Sequence, residues 1–159
     1  MKVLNEERLR FFGAAQGMSL FGHAVALFAG HPVYASVAFD HVTAYLAAAI
    51  RHQQLKCYFN DDNQLTGMVV WMWFDEPLLQ RIYQANHYPP SLHISEWKEG
   101  DIYFVADIVA HRRSLREIVR DVRANIPSGA SKVAWINSRR GKLRTMMLHK
   151  RRGVFACGR

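Results

Sequence analysis

Cysteines, acidic side chains and long apolar runs are scarce in this sequence. Its 159 residues include only 2 cysteines, Cys57 in an apolar segment and Cys157 near the end. Neither a disulfide framework nor a cysteine-based metal site is therefore expected. No run reaches the ~18 apolar residues of a membrane-spanning helix, and the first residues lack the apolar core of a secretion signal. Together these absences favour a reducing compartment, and we expect a cytoplasmic protein without a metal.

The shortage of acidic residues leaves the chain strongly basic. Against 21 Lys and Arg there are 13 Asp and Glu, which gives a formal net charge of +8. Such a balance favours an acidic partner, which could be a nucleic acid, an anionic membrane or an acidic protein. The length and the 50% hydrophobic content predict one domain over residues 1–159, with a basic C-terminal tail from about residue 138.

Helix and strand signals alternate along the chain. Apolar residues at helical spacing predict helices over residues 18–27, 42–52, 77–88 and 114–125. We expect Asp40 and Ser114 to cap the second and fourth of these helices, and a turn at residues 31–34. Strands are predicted over residues 55–59, 65–74, 102–110 and 131–137, with a last strand in the basic tail. This order predicts an α/β (α+β) domain with a single mixed or antiparallel sheet flanked by helices.

Asp107 interrupts the most apolar strand of the sequence. From Ile102 to Ala110 the residues are apolar or small except Tyr103 and Asp107, which predicts a strand buried on both faces. A carboxylate there must be met by hydrogen-bond donors or a cation, because its desolvation would otherwise cost several kcal/mol. Asp107 is therefore either a structural hydrogen-bond acceptor or part of a reaction site.

Several motifs occur in one order along the chain. They are Gly22-His23 at a hydrophobic helix, Pro32 after it, the Asn60-Asp61-Asp62 hairpin leading to Gly67, Trp97-x-x-Gly100-Asp101 followed by Asp107-Ile108-Val109-Ala110, and Ile126-Pro127. This set resembles the RTX toxin-activating lysine acyltransferase family, the hemolysin-activating protein type, over roughly residues 20–152. The order of the elements also resembles the GNAT acyltransferase fold.

The resemblance implies a cytoplasmic enzyme that moves a fatty acyl group from acyl carrier protein to the ε-amine of internal lysines on a protoxin. No bound cofactor is implied, since the acyl-carrier thioester is itself a substrate. The family's essential pair is an aspartate and a histidine, and Asp107 matches the aspartate. Its Ser-Pro-x-His pattern stands here as His31-Pro32-Val33-Tyr34, so Tyr34 occupies the histidine position and His31 the serine position.

Aminolysis of a thioester needs a neutral amine, so a base must take a proton from a lysine with an ordinary pKa of ~10.4. An imidazole whose tautomer is held by a carboxylate suits this task. We therefore expect Asp107 and His31 to be the working pair, with Tyr34 as a general acid toward the leaving thiol. A structural alternative is that His31 caps a turn and Tyr34 packs in the core.

A basic set could receive the acidic carrier protein and the phosphate of its prosthetic arm. The expected binding residues are Arg112, Arg113, Arg116, Arg120 and Lys132. Two other functions remain open from the sequence. One is a catalytically degenerate module that binds an acyl carrier or a toxin, and the other is a basic nucleic-acid-binding domain. The sequence also leaves open whether two copies form a homodimer.

Overall fold

The computed structural model describes residues 2–4, 14–34, 36–85, 89–137 and 142–148. Its elements in chain order are β1 (Lys2–Leu4), α1 (Ala14–Ala29), α2 (Phe39–Arg51), β2 (Leu55–Phe59), β3 (Leu65–Phe74), α3 (Glu76–Ala85), β4 (Ile102–Ala110), α4 (Leu115–Ala124), β5 (Lys132–Asn137) and β6 (Lys142–Met147). The strands form one six-stranded sheet whose spatial order follows the chain. Adjacent strands are antiparallel except β4 and β5, which are parallel. This mixed sheet with helices confirms the predicted fold class.

The strands agree best with the sequence pattern, since β2, β3 and β4 have the predicted bounds. The predicted turn after α1 is a 3₁₀ helix over Pro32–Tyr34, and the predicted last strand is β6. Two elements were not predicted, namely β1 and a 3₁₀ helix over Ile94–Trp97. Residues 86–88 of the third predicted helix, and residues 138–141 and 149–159 of the predicted tail, lie outside the described residues.

Of the two predicted helix caps, Asp40 was wrong, whereas Ser114 is confirmed as the N-cap residue but without a capping side chain. The N-cap of α2 is Ala38, and Asp40 lies inside the first turn, where its Oδ1 accepts from the His41 amide at 2.8 Å. There its negative charge favours the positive end of the helix dipole. Ser114 occupies the N-cap position of α4, but its backbone is already helical and its hydroxyl makes no capping hydrogen bond. The helical turn is closed instead by the His111 carbonyl.

The sheet has two faces with different covers. One face, here called the helical face, carries Met68, Met72 and Phe104 and packs against apolar residues of α1, α2 and α3. The opposite face, here called the α4 face, carries Val69 and Val105 and packs against Ile118 and neighbouring residues. The alternation follows the two-residue period of a strand, so burial of both faces makes β3 and β4 almost continuously apolar. No helix in the described ranges is long and apolar enough to span a bilayer.

A β-bulge in β4 decides which face Asp107 occupies. Trp71 of β3 pairs with Val105, but Val70 pairs with Asp107, so Ala106 is an extra residue in β4. Because side chains alternate along a strand, this one-residue shift reverses the face of every later residue. Asp107 therefore joins the helical face, on the same side as Val70.

The parallel ladder between β4 and β5 ends just before the bulge. Ladder pairs between β4 and β5 extend from Ile102 and Lys132 to Val105 and Trp135. Both strands continue, β4 to Ala110 and β5 to Asn137, without further pairs between these two described segments. Asp107 thus lies two residues past the last ladder pair between β4 and β5.

Candidate active site

Asp107 is held on the helical face by two phenols. Its side chain accepts a hydrogen bond from Tyr45 Oη at Oδ2, at 2.6 Å, and another, short one from Tyr34 Oη at Oδ1. Asp107 is 7% exposed and each tyrosine is 4% exposed, so the cluster is almost closed to solvent. Each carboxylate oxygen therefore has its own donor, and the need for partners predicted for a carboxylate in this strand is met.

The end of α1 brings Tyr34 to this position. The Gly30 and His31 amides close the last turn of the helix on the carbonyls of Ala26 and Phe28, at 3.1 and 2.9 Å. The 3₁₀ turn then follows, and its Tyr34 amide donates to the His31 carbonyl at 2.9 Å. Apolar packing fixes the ring of Tyr34, whose centroid lies 4.5 Å from that of Phe28.

Tyr45 comes from α2 and was not among the predicted site residues. The sequence pattern placed it on the apolar face of that helix, and the structure confirms this burial next to Val42, Leu46 and Ala49. A buried tyrosine hydroxyl usually has a hydrogen-bond partner. The sequence could have indicated Tyr45 in one way. A buried phenol needs a hydrogen-bond acceptor and a buried carboxylate needs a donor, so the two residues could have been predicted as partners.

His31 lies beside the tyrosines without bonding to the carboxylate. Its ring centroid is 6.1 Å from that of Tyr34, and its buried Nδ1 has no hydrogen-bond partner among the described residues. The structure thus places the three predicted residues in one neighbourhood, in which Tyr34 contacts both His31 and Asp107. The direct partner of Asp107 is the phenol rather than the imidazole.

The Trp97-x-x-Gly100 motif packs against this cluster through the contact of Trp97 with Tyr45. Trp97 is 2% exposed, its ring lies 5.8 Å from that of Tyr45, and its carbonyl accepts from Gln54 Nε2 at 3.0 Å. His52 stacks on Trp97 with centroids 5.5 Å apart, and burial, together with nearby basic side chains, lowers the pKa of His52. Gly100 is needed because a Cβ there would overlap the backbone of Phe74.

The expected carrier-binding residues fall into two places. Arg112 and Arg113 are exposed in the turn after β4, and Arg116 and Arg120 are exposed one turn apart on α4. Lys132 does not join them, since it begins β5 opposite Ile102 and forms an ion pair with Glu76. Along β4 that is the far end from Arg112, about 25 Å away at ~3.3 Å per residue.

Comparison with known families gives one result. The model of the RTX toxin acyltransferase family matches residues 14–150, which include all of the helices and strands described above except β1. A search of curated proteins found no match.

Proposed function

Because the chain belongs to the RTX toxin acyltransferase family, which implies acyl transfer to a toxin protein, we propose that it acylates internal lysines of an RTX protoxin. In this proposal the donor is a fatty acyl thioester on acyl carrier protein, the acceptor is a lysine ε-amine, and no further cofactor takes part. The reaction then belongs in the cytoplasm, where carrier and unprocessed protoxin are both present.

The observation that carries the proposal is the buried contact between Asp107 and Tyr34. The Tyr34 hydroxyl donates to Asp107 Oδ1, so a proton taken from an incoming neutral amine can be exchanged through this bond to the carboxylate. The amine nitrogen attacks the thioester carbonyl, its proton passes to Tyr34 Oη, and the phenolic proton passes to Asp107. When the tetrahedral intermediate collapses, the carbon–sulfur bond breaks and the proton returns to the thiolate. Each step conserves protons and charge.

His31 has a distinct place in this scheme. Its unpartnered, buried Nδ1 near Tyr34 is suited to hydrogen bonding with the developing oxyanion or the leaving sulfur. This assignment differs from the roles expected from the sequence, in which His31 was the base. Tyr34 takes over proton acceptance because its ring contacts the carboxylate, and it keeps the expected role of acid toward the thiol.

The end of the β4–β5 ladder and the arginine group support a carrier-bound donor. A thioester on an extended prosthetic arm must reach Asp107, and the ladder between β4 and β5 ends at Val105 and Trp135, two residues before it. The four exposed arginines 112, 113, 116 and 120 follow the end of β4 and offer charge to an acidic carrier and to a phosphate.

The test is acyl transfer from fatty acyl carrier protein to a protoxin, followed by mass spectrometry of the protoxin lysines. We expect transfer by the unmodified protein. Asp107→Asn and Tyr34→Phe should each lower the rate by about 10²- to 10⁴-fold, the range for loss of a proton-transfer group. Asp121→Asn is the matched control, because it alters another hydrogen-bonded aspartate, on the α4 face, and should retain full transfer. Absence of transfer by the unmodified protein, or equal rates for Asp107→Asn and Asp121→Asn, would refute the proposal.

A binding module without chemistry is the second candidate. It is favoured by one observation, namely that a phenol stands where the family pattern has histidine. Such a module would bind acyl carrier protein equally well before and after Asp107→Asn, and would transfer nothing. Calorimetric titration of both proteins with the carrier, alongside the transfer assay, separates the two functions.

A further inference from the structure

We propose that Tyr45 is a positioning residue that fixes the orientation of Asp107 for proton exchange with Tyr34. This inference rests on the proposed acyl transfer. Tyr45 and Tyr34 donate to different oxygens of the same carboxylate, Oδ2 and Oδ1. The two bonds therefore have different roles. Tyr45 anchors Oδ2, and Oδ1 faces Tyr34, the phenol that meets the substrate in the proposed reaction.

The two phenols are carried by different kinds of element. It is carried by the 13-residue helix α2, and its ring lies 5.8 Å from that of Trp97 and 6.3 Å from that of Phe28. Trp97 is itself fixed through its carbonyl by the buried Gln54 and through its ring by His52. Tyr34, in contrast, belongs to a three-residue 3₁₀ turn.

Anchoring matters because a carboxylate rotates easily about its last bond, which has only a broad, two-fold preference. With Tyr45 in place, rotation of Asp107 would break a bond to a charged group in a buried site. Such bonds contribute more than those between neutral partners. Loss of the Tyr45 hydroxyl should leave Oδ1 less well aimed at Tyr34 and should make the charged form of Asp107 less favourable.

The effect should be on the chemical step rather than on substrate binding. Tyr45 contacts the carboxylate from the protein core, so its removal should lower kcat by about 10- to 100-fold and change KM by less than about twofold. The acidic limb of the pH profile of kcat should move to higher pH, since the charged carboxylate loses a donor. A merely structural tyrosine would lower stability without moving this limb.

The experiment compares Tyr45→Phe with Tyr58→Phe. The Tyr58 hydroxyl also donates to an aspartate, Asp121 Oδ2 at 2.7 Å, but on the α4 face. Both variants thus lose one phenol–carboxylate bond and keep the ring. Transfer is measured below the unfolding transition of each variant, and the ¹³C signals of labelled aspartate carboxyls are recorded in parallel. We expect the lower kcat, the shifted acidic limb and a changed Asp107 signal in Tyr45→Phe alone.

The proposal and the function on which it rests fail differently. If the unmodified protein transfers no acyl group, the proposed function is refuted and the role of Tyr45 falls with it. If the unmodified protein is active and Tyr45→Phe matches Tyr58→Phe in kcat and in the acidic limb, only the role of Tyr45 is refuted. An unchanged Asp107 carboxyl signal in Tyr45→Phe would also refute it, whether or not the variant retains enough stability for kinetics.

Discussion

The two faces of the sheet each carry an aspartate that accepts from tyrosine, and they use it differently. On the α4 face, Asp121 joins α4 to β2, with Lys56 Nζ and Tyr58 Oη at 2.6 and 2.7 Å from Oδ2 and Asn125 Nδ2 at 2.8 Å from Oδ1. Burial acts to raise the pKa of Asp121, but the bonds from Lys56 and Tyr58 outweigh it and lower that pKa overall. The aspartate is therefore held as a fixed charge.

On the helical face, the donors to Asp107 described above are two phenols, which are neutral and can exchange protons. A lysine clamp favours one protonation state, whereas a phenol can pass its proton on and recover it. Asp121 is also partly exposed, whereas Asp107 is buried. The partners of the two aspartates therefore differ in kind. The ion pair makes Asp121 a structural connection, and the phenols make Asp107 a candidate reaction site.

The largest expected effect on folding comes from substituting Gly100, and Gly67 provides the comparison. In Gly100→Ala the new Cβ would overlap the backbone of Phe74 and Asp75, which cannot yield without moving β3. We expect a loss of more than about 3 kcal/mol in unfolding free energy. In Gly67→Ala the Cβ would meet the end of the Ile118 side chain, which can shift, and Ala110 Cβ at 2.9 Å. A loss of about 1–3 kcal/mol follows.

Urea unfolding of both glycine variants measures these losses. The transfer rate adds a second readout, because Gly100→Ala disturbs β3, which pairs with the strand that carries Asp107, while Gly67→Ala loosens the helix that carries Asp121. We expect the fully folded fraction of Gly67→Ala to keep its activity. Equal stability losses in the two variants would contradict this explanation, in which the backbone next to Gly100 cannot move and the Ile118 side chain next to Gly67 can.

The next effect is the dependence of stability on pH at Asp121. Because the folded protein lowers the pKa of Asp121 below its ordinary 3.8, the ionised form stabilises the fold above that pH. This contribution is lost as the pH falls through the lower, folded value. Asp121→Asn should therefore cost about 1–2 kcal/mol at neutral pH and progressively less below about pH 4. Urea unfolding at several pH values checks this, and a difference that grows toward low pH would contradict it.

The smallest effect concerns chemical access to the core of the helical face. Cys57 is fully buried there, and burial raises the pKa of its thiol to about 12. We expect no alkylation of Cys57 in the folded protein at about pH 8, because the reactive thiolate is scarce and enclosed. Peptide mapping after iodoacetamide treatment measures this. Gly100→Ala should increase the labelling of Cys57 more than Gly67→Ala does, and the reverse order would contradict the larger loss of stability expected for Gly100→Ala.

The sequence determined the elements whose pattern is local. Alternating and continuous apolar runs fixed β2, β3 and β4, and a carboxylate inside such a run marked Asp107 as a residue that needs partners. The motif positions also marked Tyr34 and His31. These features are readable because burial on a strand depends on a two-residue period and because an isolated charge in an apolar run is costly.

Only the tertiary structure decided how these residues meet. The extra residue at Ala106 turns Asp107 toward α1 and α2, and no local pattern announces a bulge whose partner lies in another strand. Packing of α2 across the sheet brings in Tyr45, and the register of β5 places Lys132 opposite Ile102, where it pairs with Glu76 instead of joining the arginines. Sequence alone names residues that must find partners, but the partners are 62 and 73 positions away from Asp107. The register and packing of distant segments decide which phenol, ammonium or imidazole becomes the partner of each such residue.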